Sequence, residues 1–264
     1  NEDFVRLREK YPILVTWDDH DFGANDAGSD YPKRRESQQE FIRFWQIASD
    51  SPLRRRPGVY DSRRFGPEGR RVQILLLDTR YFRSPLKLGP ERRIAGPYVP
   101  DEDPSKTMLG EAQWQWLEER LREPAELRIV ATSVQCIPEA AGQETWSNLP
   151  SERQRLFELI RKCQAEGVIL VSGDRHWAEL SKLDQGVPYP IYEMTSSSFN
   201  QIHARGTPSE NQHRVSETTY HRENYGVLEV DWDRDDPNVT LQIRDLSGRV
   251  QIEQVIALGE LVAR

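Results

Sequence analysis

The sequence predicts an α/β protein built on a sheet with covered faces, and three observations predict it. Residues 72–78, read Val-Gln-Ile-Leu-Leu-Leu-Asp, form a nearly continuous apolar run, and 128–134 and 168–171 are further runs of that kind. Strands buried on both faces have this character. A helix-to-strand order recurs around residues 12, 127 and 167, as a layered α/β sheet requires. With 264 residues the chain can bury a substantial core, and 1–264 is read as one domain.

The elements follow in order. Residues 3–10 read as a short helix carrying Phe4 and Leu7, ended by Tyr11-Pro12 and leading into a strand over 13–17. Residues 36–49 read as a helix whose apolar face holds Phe41, Phe44, Trp45, Ile47 and Ala48. The strand at 72–78 ends in Asp78-Thr79-Arg80. A helix over 111–122 carries Trp114, Leu117 and Leu121, and 128–134 is the next strand. The helix over 152–166 has Ser151 as N-cap, Gln154 completing a capping box, a stripe from Leu156 to Cys163, and Gly167 as its stop. It leads into the strand at 168–171. A short strand over 191–194 precedes Thr195-Ser196-Ser197-Ser198. Residues 200–225 are polar and aperiodic, a long loop holding His203, His213 and His221. Strands at 226–232, 239–244 and 250–258 with turns between them make a C-terminal antiparallel meander.

Composition excludes several classes. The net charge of −7 argues against general nucleic-acid affinity, and no apolar window is long enough to span a membrane. Cys136 and Cys163 form no CxxC motif, so a cysteine-based zinc site is unsupported. Arg54-Arg55-Arg56, Arg63-Arg64 and Arg70-Arg71 lie among glycines and prolines, and read as a solvated loop in preference to an anion-attracting rim. The chain starts at Asn1 with neither an initiator Met nor an apolar signal segment, as a processed protein or a piece of a longer one would; the compartment stays open.

The chemistry is concentrated at two strand ends. Trp17-Asp18-Asp19-His20-Asp21 crowds three carboxylates and an imidazole, whose mutual repulsion a cation would offset. Ser172-Gly173-Asp174-Arg175-His176-Trp177 repeats the Asp and His pattern after the strand at 168–171. In α/β sheets ligands sit beyond the carboxyl ends of strands, where both clusters fall. Hard oxygen donors with some imidazole suit two-metal phosphoryl chemistry, which also needs a histidine near the leaving oxygen and cationic donors for the phosphoryl oxygens. Asp18, Asp19, His20, Asp174 and His176 fit the first needs, and Arg80 and Arg175 fit the last. Arg80 has a second reading, a pair with Asp78 or another local carboxylate. Asn25 and Asp26 read as closing oxygen ligands or as an Asx turn. The late histidines read as solvated, and Trp177 as packing before pocket wall.

Five segments, in order, resemble the PhoD-like metallophosphoesterases: Trp17 to Asp26, Leu77 to Arg83, Met108 to Leu117, Ser172 to His176 and Glu193 to Ser198. The resemblance implies a calcineurin-like αββα sandwich and hydrolysis of phosphate mono- or diesters by a metal-activated water. It implies metal ligation by Asp18, Asp19, Asn25, Asp174 and His176, with His20 as the acid or phosphate contact. Two or more metal ions are implied, calcium and iron favoured by the oxygen-rich set, zinc or manganese as alternatives. Members are often secreted or periplasmic. The family pattern also has two earlier strand ends, one a Gly-Asp motif with a bridging Asp, and this sequence holds neither before Trp17. The sandwich is therefore expected to be incomplete on that side, with an exposed sheet edge or a partner segment completing it. The alternatives to a phosphoesterase are a non-catalytic metal-binding or interaction module, and a two-metal hydrolase acting on another substrate.

Overall fold

A computed structural model describes residues 2–93, 96–139, 142–202 and 211–263. The helices are α1 (Glu2–Lys10), α2 (Asp19–Phe22), α3 (Arg34–Phe44), α4 (Glu111–Leu121) and α5 (Pro150–Lys162). The strands are β1 (Asp61–Phe65), β2 (Val72–Leu76), β3 (Leu88–Arg93), β4 (Gly96–Tyr98), β5 (Leu127–Ala131), β6 (Val168–Ser172), β7 (Ala178–Leu183), β8 (Ile191–Ser196), β9 (Asn224–Asp231), β10 (Asn238–Asp245) and β11 (Val250–Ala257).

A central six-stranded sheet has the order β1-β2-β5-β6-β8-β7. Its four inner strands run parallel, and β1 and β7 pair antiparallel at the edges. Ile74, Ile129, Ile169 and Tyr192 stand opposite one another across the parallel strands. Trp114 and Leu117 of α4 and Leu156 and Ile160 of α5 join the sheet in one apolar core. Each such buried side chain contributes about 1.5–3 kcal/mol relative to exposure. Glu152 ties the two helices together, accepting from Trp114 Nε1 (2.8 Å), Met108 N–H (2.7 Å) and Thr107 Oγ1 (2.6 Å).

The expected C-terminal meander is present as the sheet β11-β10-β9. Val239, Leu241, Ile243 and Ile256 bring it into the same core. It leaves part of the central sheet uncovered. A groove of about 650 Å³ runs between Ile129, Ala131, Val171 and Met194 on one side and Tyr225, Gly226 and Leu228 of β9 on the other.

The structure corrects several local expectations. Residues 13–17 are not a strand, because the edge of β2 they would pair with is taken by β1. That segment is held by side chains instead: Thr16 Oγ1 donates to the Leu77 carbonyl (2.8 Å) and Trp17 Nε1 to Asp78 Oδ1 (2.8 Å). The helix expected at 36–49 stops at Phe44, where Gln46 takes a left-handed backbone (φ 52°); Phe41 is buried while Phe44 is exposed. Helix α5 starts at Pro150, whose fixed φ suits the first helical position, so Ser151 lies inside the helix and is not its cap. Gly167 lies at the entry to β6, where a Cβ would meet the Glu126 carbonyl at 2.2 Å. The arginine-rich stretch holds β1, with Arg63 on Asp61 (3.0 Å), while Arg71 pairs with Glu126 (2.6 Å). The hairpin β3-β4 and the edge strand β7 were not expected. Ala-Glu-Leu-Ser-Lys-Leu reads as polar, yet Glu179 within it is buried and satisfied by Gln135 Nε2 (2.7 Å), Arg214 Nε (2.7 Å) and Asn211 Nδ2 (3.1 Å).

Candidate metal centre

Because β2, β5, β6 and β8 are parallel, the loops after them gather at one edge of the sheet. The first cluster is brought there by Thr16 and Trp17, whose bonds to Leu77 and Asp78 pin it at the end of β2. The chain then turns at once into the short helix α2. Asp18 N–H donates to Asp21 Oδ1 (2.8 Å), so Asp21 closes the helix start. Burial raises the Asp21 carboxyl above its ordinary range, against the lowering effect of those backbone donors. Gly23 is required after the helix, since a Cβ there would lie 2.3 Å from the Tyr31 ring. Asp19 is buried; its Oδ1 accepts from His20 N–H (2.8 Å) and its Oδ2 from Asp26 N–H (3.0 Å).

The second cluster leaves β6 in a contorted loop. Asp174 (φ 68°) and His176 (φ 57°) both adopt left-handed backbone, as does Asp26 (φ 51°) in the first loop. Each such residue costs about 1–2 kcal/mol, which the surrounding contacts must offset. His176 N–H donates to Ser197 Oγ (3.0 Å) from the loop after β8, and Arg175 Nη1 bonds Asp174 Oδ2 (2.8 Å).

Oxygen atoms of Asp18, Asp19 and Asp174 lie within 4.8 Å of one another. Burial, followed by the charges of Asp18 and Glu144, pushes the Asp174 carboxyl up to about 8 against the opposing effect of Arg175. Three clustered carboxylates with this electrostatic cost suit a hard cation, which an all-oxygen set prefers. Asn25 and His176 line the same cavity, of about 450 Å³, but His176 is outside the three-carboxylate group. His20 also lines it, with an exposed ring whose Nε2 is 3.8 Å from Asp19 Oδ2.

Arg80 is placed differently. Its side chain is fully buried, Nε donates to Asp18 Oδ1 (2.8 Å), and Nη1 and Nη2 donate to the two carboxylate oxygens of Glu144 (2.7 Å each). It lies under the carboxylates and not on the cavity wall. Burial alone would lower its pKa, but Asp18 and Glu144 outweigh that and raise it. Of the two readings of Arg80, a pair with a local carboxylate is the one observed, and the partners are Asp18 and Glu144. Asp78 instead accepts from Trp17 Nε1 and from the N–H groups of Val59, Arg80 and Tyr81.

Sequence reasoning missed Glu144, Arg83, Tyr98 and Gln143. Glu144 is buried against Arg80 and Arg83 (2.9 Å), and burial raises its carboxyl while both arginines lower it. Tyr98 reaches Asp26 Oδ2 through its hydroxyl (2.6 Å). The stretch around 142–148 carries neither strand nor helix period, so no sequence signal drew attention to it. Among the late histidines, His213 lies 3.7 Å from Glu139 and His221 stands beside Trp177, both away from the carboxylate cavity; His203 lies outside the described residues. Trp177 is buried, as the packing reading expects.

Alkaline phosphatase D of Bacillus subtilis (strain 168) is 25% identical over 209 residues, 72% of this chain and 34% of that protein. A solved structure titled "Structure of PhoD" superposes with a TM-score of 0.67 at 20% identity, over 92% of this chain and 51% of that one, which shows a shared fold. The chain thus spans about a third to a half of the length of these relatives. The family model described as PhoD-like phosphatase matches residues 1–243, and the chain belongs to the PhoD-like phosphatase family.

Proposed function

We propose that the chain carries part of a metal-dependent phosphoric ester hydrolase, as one calcineurin-like domain. The observation that carries this reading is the convergence of Asp18, Asp19 and Asp174 from two loops onto one cation-sized group of oxygens. A bound cation supplies Lewis acidity toward a phosphoryl oxygen and lowers the pKa of water.

The residues divide the remaining work. Asp18, Asp19 and Asp174 hold the cation, with Asn25 and His176 completing the set from the cavity wall. His20, exposed at the mouth, is placed to give a proton to the leaving oxygen. Arg175 lines the cavity and brings a guanidinium beside Asp174, which suits it to a phosphoryl oxygen. Arg80 serves the site by fixing Asp18. The uncovered groove is also lined by Asp18, Asp21 and Asp174, so a segment completing the sheet there would reach the same carboxylates.

The test is hydrolysis of p-nitrophenyl phosphate and bis-p-nitrophenyl phosphate with calcium, iron, manganese or zinc added, and again after chelation. Hydrolysis that disappears with the metal supports the proposal. A chain that binds metal and cleaves neither ester contradicts it.

A further inference from the structure

We infer that Gln143 is a substrate contact whose side-chain amide donates to a phosphoryl oxygen, an inference that rests on the phosphoesterase reading. Most polar groups around the cavity are already engaged or cannot donate. The carboxylates cannot donate to an anionic ester. Arg80 is taken up by Asp18 and Glu144, and Arg83, paired with Glu144, does not line the cavity. His20 has an exposed side chain, so holding it in one rotamer against a phosphoryl group costs conformational entropy.

Gln143 differs from all of these. It lines the cavity while being only 3% exposed, and its Oε1 is buried without a hydrogen-bond partner among the described residues. An unpaired buried polar atom is costly, and an apolar side chain of similar size would serve packing better. Both neighbours hold it in place. Gly142 takes φ 86°, a Cβ on it would lie 2.5 Å from the Gly96 carbonyl, and its own carbonyl accepts from Tyr98 N–H (3.3 Å). Glu144 is locked onto Arg80 and Arg83. The amide therefore faces the cavity from a fixed backbone, which is the preorganisation that favours binding of charge developing in a transition state.

Its neutrality is the chemical point. Arg175, paired with Asp174, already supplies the cationic contact, and a further lysine or arginine in this carboxylate-lined cavity would form another ion pair and compete with the cation. A primary amide carries two donors and an acceptor without charge. The amide donors serve a non-bridging phosphoryl oxygen.

The test compares Gln143→Leu and Gln143→Glu with the parent chain in three readouts: metal content, affinity for inorganic phosphate of the metal-supplemented chain, and kcat/KM on an aryl phosphate. Both variants are expected to keep metal content, to bind phosphate at least about tenfold more weakly, and to lose about a hundredfold in kcat/KM. Gln143→Glu, which keeps size and an acceptor, covers failure of Gln143→Leu to fold. Unchanged phosphate affinity in a folded variant overturns the inference, and so does loss of metal in step with activity, which would make the amide a cation ligand. If the parent chain binds phosphate but hydrolyses no ester, the phosphoesterase reading fails, while the phosphate affinities still decide the role of Gln143.

Discussion

Two regions of the site, drawn from distant parts of the sequence, are built on opposite principles. The floor beneath the carboxylates, made by Arg80, Arg83 and Glu144, is buried and closed on itself by ion pairs. The rim, with His20, Asn25 and His176, opens to the cavity. The floor fixes positions, and the proposed chemistry falls to the rim. An arginine in a site motif is therefore not automatically a substrate contact: Arg80 and Arg175 both follow strands, yet Arg80 is sealed under Asp18 and Arg175 lines the cavity.

Substitutions can break this contrast. Glu144→Leu removes the shared partner of two buried guanidinium groups, and breaking such a cluster is expected to cost about 3–5 kcal/mol of stability. Urea unfolding measures it, and a cost under about 1 kcal/mol would mean that the floor is not held together as described. At the rim, His20→Ala is expected to change stability by less than about 0.5 kcal/mol, since its ring is exposed. Turnover should fall about a hundredfold, the loss typical of a proton donor, and a variant with parental turnover would remove His20 from the chemistry.

Between floor and rim stands Gly142. Gly142→Ala places a Cβ against the Gly96 carbonyl at a left-handed backbone, with an expected cost of about 1–3 kcal/mol. If the loop shifts as this predicts, phosphate affinity falls alongside stability; a stability loss without any change in phosphate binding would separate the loop from the site.

The same contrast explains what was legible in the sequence. The rim was readable because Asp18, Asp19, His20, Asp174 and His176 sit in two short runs directly after apolar stretches. The parallel strands were readable for a similar reason, since β2, β5 and β6 are local apolar runs. The floor was not: the pairing of Arg80 with Glu144 joins residues 64 positions apart, and its stability depends on burial, which a polar side chain does not announce. Strand β7 escaped notice for that reason too, its Glu179 being neutralised by Arg214 from a distant loop. At residues 13–17 the apolar character read as a strand, but the segment is half-buried up to Trp17, strand pairing is decided by the neighbour available, and β1 had taken that edge.

The central claim is that the three carboxylates hold a cation and the exposed histidine does not. Metal content, measured by elemental analysis after dialysis for the parent chain, Asp19→Asn, Asp174→Asn and His20→Ala, tests it most directly. The account predicts metal loss in both aspartate variants and retention in His20→Ala. Equal loss in all three, or full retention in the aspartate variants, would contradict it.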